Sequence, residues 1–514
     1  MQNVSTAWKE NQKESFTSEG YVEISYMAVD DAAQGAGIVS SNDAVPGLAL
    51  SALLDPENTD KNTACLGLNN LILDSERTYE AGNVFVSQTI SDTSGAFTSP
   101  PTLKITWGAL QTTEIIGLTV AWDLATQAYA TKFAVTVKNG SSVVYSKTIE
   151  GNRDIRSVIT HNLIGYDSIE IQILEWIFPQ SHAIISYVLM GAEQIYDKSK
   201  LMNFECSRSG DLLSLELPDD ELRFSVDNSD EQFDPNNPAG IFRLLAERQL
   251  VKVRYGFKIG SSIEWINGGR YYLSEWEVPA NGITADFTAR NAFSLMEDPY
   301  AGIKKGSLKQ ILEAAFNQVD VACSIDASLG AITLPSDVDF DGLRICDVVQ
   351  YCANAGRCIL RVDRSGTVQV RPNIQAITGY NISEKVSFQR GKYSLISPIK
   401  SLLVNGETSV SIGAKSGEVK TIDNSFIVNA EAVGIWILRA LQHRRSVSGS
   451  WRADPCLDIY DVIAVTNKYS TDTIQITGLN LSFAGAFTGE YTGTILYTAA
   501  ADAIYSGEGN AGDM

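Results

Sequence analysis

The sequence predicts a mainly β protein with a small α+β part, and three observations carry that prediction. Apolar and polar residues alternate over many short runs, as in Leu222, Phe224 and Val226 around Arg223 and Ser225, which is the period of a strand buried on one face. These runs are divided by Gly, Asn, Asp and Pro at the spacing of sandwiches and barrels. Helical periodicity is confined to a few places: Leu308 to Phe316, Ile345 to Ala355, and Ala430 to about Arg445. The 514 residues imply three or four domains at ~150 residues each.

Composition narrows the function classes. The formal charge is −21, which argues against sequence-reading DNA binding, since that needs a basic surface. It suits solubility, or a wall along which nucleic acid slides without sticking. Seven cysteines (65, 206, 323, 346, 352, 358 and 456) include no C-x-x-C pair, so neither a zinc ribbon nor a thioredoxin-like site is expected. Cys346, Cys352 and Cys358 recur every six residues, about 600° of helix per step, so they share no face. They read as small core residues. His161, His182 and His443 have no carboxylate or cysteine pattern around them and read as structural rather than as a metal centre. No cofactor and no metal is implied. The start MQNVSTAWKENQKES lacks an apolar core, and no run of ~18 apolar residues follows, so a soluble protein made in a cytoplasm is expected.

Taken in order, residues 1–20 are polar and read as a helix or an arm. Gly20 to Met27 is a strand. The Ala-, Gly- and Ser-rich stretch to about Asp60 reads as a connector. Then come Asn69–Asp74, Leu103–Trp107, Ile115–Asp123, Lys132–Val137, Ser142–Tyr145 and Ser168–Leu174, with a last strand from Pro179 to Gly191. Short strands at this spacing imply a sandwich or jelly roll. From Asp211, Leu213, Leu215 and Leu217 alternate as a strand, and Leu222 to Val226 forms the next. Asp227 to Pro238 is a stiff polar turn. Its acids Asp227, Asp230, Glu231 and Asp234 miss the calcium-loop spacing. Val251 to Tyr255 is a third strand ended by Gly256, and Trp265 to Trp276 supplies two more.

Ser307 is placed to cap the helix from Leu308, whose Leu308, Ile311, Leu312, Ala315 and Phe316 share a face. A second helix ends at Gly356. Cys358 to Val370 reads as a hairpin around Asp363-Arg364-Ser365-Gly366. Helices followed by a hairpin make a small α+β domain. Later, Asn405-Gly406 is a hairpin signal, and Ala430 opens a helix whose buried face is Val433, Ile437, Leu438 and Leu441. Asp458 and Asp461 flank a turn feeding the strand Val462, Ile463, Val465. Two aspartates do acid–base work only where both face a pocket, so they read as turn formers. The tail from Tyr497, and above all residues 500–514, reads as a flexible end.

Several stretches, in their order along the chain, resemble the hub proteins of phage tail baseplates, the trimeric ring proteins at the tip of the tail tube. They are F-S-V-D-N-S-D-E-Q-F-D-P-N-N-P, V-K-V-R-Y-G, the Gly-Gly-Arg-Tyr-Tyr-Leu hairpin, V-D-R-S-G-T-V-Q-V, D-N-S-F-I, D-P-C-L-D-I-Y-D-V-I and a closing Gly-x-Phe-x-Gly. The resemblance covers roughly residues 194–495. Matched separately and ahead of it, N-N-L-I-L-D, I-G-L-T-V-A-W-D, the pair around Asn139-Gly140 and Y-D-S-I-E-I-Q-I-L-E-W resemble a discoidin-like (galactose-binding-like) module. Together they imply a division into an arm and first barrel strand (1–60), an inserted discoidin-like sandwich (61–193), a first hub barrel (194–300), an α+β domain (301–380), a second hub barrel with a helix (381–499) and the tail (500–514).

What this resemblance implies is a non-enzymatic part of a virion, at the tail tip or baseplate. Three copies would form a pseudo-hexameric ring. Its partners would be other copies of itself, a distal tail or tube-end ring protein, and a tape-measure or tip protein, with DNA passing through the lumen without sequence-specific binding. The competing reading is a carbohydrate-binding adhesin that meets a host surface glycan through the sandwich, with Trp107, Trp122 and Trp176 as candidate sugar-stacking residues, although tryptophans on strands are more often core. A glycosidase would need two acids about 5–9.5 Å apart across a cleft, and no stretch recommends one.

Overall fold

A computed structural model describes the chain except residues 15–17, 47, 49, 55–84, 125, 238–241, 243–244, 246, 261, 280–281, 337, 376, 413–415 and 499–514. It is mainly β, with few helices. The chain divides into two compact units. Unit 1 is Met1–Ser25 with Ile195–Met514, and unit 2 is Tyr26–Gln194.

Unit 1 is built on one long path of strands. From Gly20–Val29 the order runs Leu250–Ile259, Ser262–Glu277, Thr284–Arg290, Asp220–Asp227, Leu201–Ser209, then Thr471–Phe483, Phe487–Thr498, Arg445–Trp451 and Lys392–Leu395. Leu201–Ser209 is the joint. It pairs antiparallel with Asp220–Asp227 on one edge and with Thr471–Phe483 on the other, so the strands expected of two barrels share one hydrogen-bonded path. Beyond it, Val462–Thr466 pairs with Thr471–Phe483 and carries Ile377–Ile382 in parallel on its free edge.

The α+β part has its own core. Helix Leu308–Gln318 starts in a capping box, where Ser307 Oγ accepts the Gln310 N–H and Gln310 Oε1 accepts the Ser307 N–H, which satisfies two donors that a helix start otherwise leaves open. Its apolar face meets helix Ile345–Ala355 and the hairpin Ile359–Val362/Val368–Arg371. Cys346, Cys352 and Cys358 are buried there. Helix Ala430–Leu441 packs Val433, Ile437 and Leu438 on the strands around Leu402 and Val404. Asn405 and Gly406 turn that hairpin with φ of 52° and 70°, which Asn and Gly tolerate best.

Four local expectations change. Leu213, Leu215 and Leu217 make a turn, not a strand, because the Asp211 carboxylate accepts the N–H groups of Leu213, Leu215 and Glu216 and takes the donors a ladder would use. The two leucines that point inward go to different cores, Leu213 to the Leu402 cluster and Leu217 to the α+β cluster, while Leu215 is exposed. The third strand does not stop at Gly256 but runs Leu250–Ile259, and Trp265 to Trp276 lies on one long strand, Ser262–Glu277. The helix at Ala430 ends at Leu441, and Arg445 opens a strand instead.

Unit 2 is a sandwich. One sheet has the order Ile38–Ser41, Thr102–Gln111, Tyr166–Trp176, Ala130–Asn139, Ser142–Glu150. A second has Tyr187–Leu189, Ile115–Ala121, Arg156–Leu163, and a pair joins Phe85–Ile90 to His182–Ile185. The stretch to Asp60 is not a plain connector: it holds helix Asp31–Ala36, strand Ile38–Ser41 and the turn Leu50–Leu54, whose Leu53 and Leu54 lie in the sandwich core. The run from Pro179 to Gly191 is split at Ser186. Its N–H donates to Ala121 O and its hydroxyl to Trp122 O, so the chain changes sheet there. Asn69–Asp74 and Cys65 lie outside the described residues.

Candidate functional site

The chemistry in unit 1 concentrates at Asp458, a carboxylate only 1 % exposed. Its Oδ1 accepts from Arg208 at 2.7 Å and from Arg364 Nε at 2.8 Å, and Arg361 reaches Oδ2 at 3.4 Å. The strand Leu201–Ser209 positions Arg208, while the hairpin of the α+β part positions Arg361 and, at its turn, Arg364. Arg364 is spent completely: Nη1 donates to Asn267 O at 2.7 Å, and Nη2 to Pro455 O and Leu457 O at 2.7 and 2.8 Å. Arg208 also donates to Val362 O. Asp461 accepts the Asp458 N–H at 2.8 Å and lies 2.5 Å from the Met1 α-amino group. Tyr460, held at φ 68°, donates its hydroxyl to Leu360 O and Asp211 O.

Burial alone would push the Asp458 carboxyl up. The guanidinium groups of Arg364, Arg208 and Arg361 outweigh it and hold the group well below the usual carboxylate range. Two neighbours behave oppositely. Asp220 and Asp454 are buried, and burial raises both. Arg208 stands 3.7 Å from Asp220, and Asp454 accepts from the Trp8 indole and the Cys456 N–H, each at 3.1 Å. The cavity beside this cluster, lined among others by Arg208, Arg364, Trp451 and Asn480, measures about 30 Å³. That is room for a water or two, not for a sugar or a peptide. The arrangement therefore ties elements together rather than presenting an acid and a base to a substrate.

The three tryptophans singled out in the sequence are core. Trp107 donates its indole N–H to Ala33 O and stands edge-on to Tyr166. Trp122 donates to Ser157 Oγ and meets Phe133 and Trp176 edge-on. All three are buried, so none offers a ring face to a sugar. Packing of large rings between two sheets takes precedence over display at the surface. An exposed ring among the described residues of unit 2 is Phe178, 46 % accessible, on a loop end that the sequence did not single out. Ser91 Oγ donates to Phe178 O, Ser91 N to Ser181 O, and Gln180 N to Asp92 O, while Asp92 Oδ1 accepts from Ser94 and Ala96.

The remaining candidates are turn and packing groups. Asp227, Asp230 and Asp234 accept the N–H of the residue two positions on, and among the described residues no group of three or more His, Cys, Asp or Glu could hold a metal ion. His161 stacks on Tyr145 at 4.2 Å, His182 Nδ1 meets Ser87 O, and burial lowers His443.

No family model and no curated protein matches the chain. Among solved structures, the 43 kDa tail protein of prophage MuSo2 from Shewanella oneidensis is similar at 12 % identity, covering 58 % of this chain and 95 % of that one with a TM-score of 0.42. A tail protein from Neisseria meningitidis is similar at 10 % identity, with 59 % and 93 % covered and a TM-score of 0.40. A family 32 carbohydrate-binding module from C. perfringens NanJ, solved with galactose, is similar over 34 % of this chain and 99 % of its own length at 11 % identity, with a TM-score of 0.21. The structural neighbours thus fall into tail or hub proteins and, over a minor part of the chain, carbohydrate-binding modules.

Proposed function

We propose that this chain is a structural hub of a phage or phage-like tail: three copies form a ring at the end of the tail tube, join the tube to the tip and surround the exit channel for DNA. One observation carries the reading. The stretches whose order resembles the hub family are far apart in sequence, yet V-D-R-S-G-T-V-Q-V supplies Arg364, D-P-C-L-D-I-Y-D-V-I supplies Asp458, and both meet Arg208 in one buried ion cluster. A ring that bears load between a tube and a tip needs its parts locked in one geometry. A carboxylate shared by three guanidinium groups does that directionally, as apolar packing does not. The net charge of −21 suits a lumen that DNA must leave. The ring would bind a tube-end ring protein on one side and a tape-measure or tip protein on the other. Light scattering of the purified chain tests this: a mass near three copies of 55.9 kDa with a central hole in electron micrographs is the expected result, and a single-copy mass at every concentration overturns the ring.

A second role for unit 2 is favoured by Phe178. An exposed ring on loops held rigid by hydrogen bonds is fit to stack on the apolar face of a pyranose, which would make the sandwich a glycan-binding module of the tail tip. A glycan array probed with the whole chain and with Phe178→Ala tests it. Binding that the substitution abolishes supports the role, and absence of binding by the unaltered chain removes it.

A further inference from the structure

Among the described residues, exposed apolar side chains are concentrated between residues 374 and 396. Ile377 is 77 % and Leu395 67 % exposed, and Ile374, Phe388 and Ile396 are exposed as well. These residues belong to a seam. Among the described residues, strand Ile377–Ile382 has one strand neighbour, Val462–Thr466, and strand Lys392–Leu395 has one, Arg445–Trp451. Both strands reach the end of the ladder between Val462–Thr466 and Thr471–Phe483: the Tyr393 hydroxyl donates to Asp472 at 2.7 Å and accepts from Asn467 at 3.0 Å. Asp472 pairs with Val465, the partner of Ile382, and Thr466 donates to Asn381. No backbone pairing joins the two strands, and each keeps an unpaired backbone edge among the described residues. An open edge lined with large apolar groups is a surface that a solution monomer leaves at a cost.

Charge says what covers it. From Glu384 to Lys400 the chain has four basic residues and one acidic, while the rest has 60 acidic and 36 basic. Lys385, Arg390 and Lys392 are exposed and make no ion pair with any described residue. A basic, apolar edge on a strongly acidic chain is complementary to the acidic surface of another copy of the same chain. We infer that the seam formed by Ile377–Ile382 and Lys392–Leu395 docks a second copy of this chain. The contact is then heterologous, seam against a different face, and such contacts close into rings when the rotation permits. Lys392 also guards the edge, since it disfavours pairing seam to seam. This inference rests on the ring reading above and assigns its interface.

The test is light scattering over a concentration series at low and high salt. It compares the unaltered chain with Ile377→Asp/Leu395→Asp, with Arg390→Glu/Lys392→Glu, and with Ile38→Asp, an exposed position in unit 2, as control. The expected result is a trimer for the unaltered chain and the control, and a dissociation constant raised about tenfold or more for both seam variants. Their circular dichroism should stay unaltered, because every substituted side chain is exposed. High salt should weaken the unaltered assembly. Seam variants as trimeric as the unaltered chain overturn the seam and leave the ring standing. An unaltered chain that is monomeric throughout overturns both.

Discussion

Units 1 and 2 bury different things. Unit 2 closes on a single apolar core in which Trp122, Phe133, Ile171 and Trp176 are packed between sheets, and its buried polar groups are mostly neutral, such as Ser87, Thr119, Asn152 and Ser157. Unit 1 divides its apolar matter among several clusters and buries Arg208, Arg364, Asp220, Asp454 and Asp458 among them. The difference follows chain connectivity. Unit 2 is a continuous stretch that needs only to exclude water. Unit 1 gathers segments as distant as residues 208, 364 and 458, and the shared carboxylate fixes their register. Burying charge is costly unless each charge is paired and hydrogen-bonded, and Arg364, with every nitrogen engaged, meets that condition.

This contrast can be broken experimentally. The largest expected effect is from Asp458→Ala, which leaves three guanidinium groups facing an empty place. Removing one partner of a buried pair costs about 3–5 kcal/mol, so calorimetry should show the transition of unit 1 falling steeply while that of unit 2 stays. A small change, or equal loss in both units, would mean the cluster is not what locks unit 1. Next comes Ile171→Ala, in the middle of the five-stranded sheet, where loss of contacts plus the cavity costs roughly 2–4 kcal/mol. The loss should appear in unit 2 alone.

The smallest effect is on pH dependence and sharpens the comparison. Asp458 has a folded pKa below its unfolded one, so its stabilisation is complete above about pH 4 and is lost as the pH falls below it. Asp220 and Asp454 have folded values above their unfolded ones. Each costs stability at neutral pH, and that cost is relieved as the pH falls through the folded value. Unit 1 should therefore be most stable in mild acid, and Asp220→Asn should flatten the rise between neutral pH and that maximum. Urea midpoints across a pH series measure this; a midpoint that declines steadily from neutral pH would show that these buried acids are not carrying the profile.

Much of the fold is legible in the residues. The alternation at Leu222–Val226, the capping box at Ser307, the helix faces and the Asn405-Gly406 turn are local signals, and each is where it was expected. Local signals also misled. Leu213, Leu215 and Leu217 have strand spacing, but Asp211 takes their donors. Trp107, Trp122 and Trp176 look like rings for stacking on a sugar, but all three are buried in the core of unit 2. Asp458 reads from sequence as a turn former beside Asp454-Pro455 and Asp461, and none of its three arginine partners lies within ninety positions of it. The signal that could have found it is indirect: three arginines, at 208, 361 and 364, each in or beside an apolar strand, where a charge needs a partner.

By itself the sequence determined the class of each segment, because strand and helix periods, caps and turns depend on residues only a few positions apart. It also determined the acidic charge and the order of motifs that suggests a tail hub. The tertiary structure alone decided which sheet edges meet at Leu201–Ser209, which rings are covered, and that Arg208, Arg361 and Arg364 share one carboxylate. Those are contacts between residues far apart in the chain, 94 to 250 positions for the three arginines and Asp458, and the free energy that selects them comes from desolvation and pairing that exist only once the chain has folded.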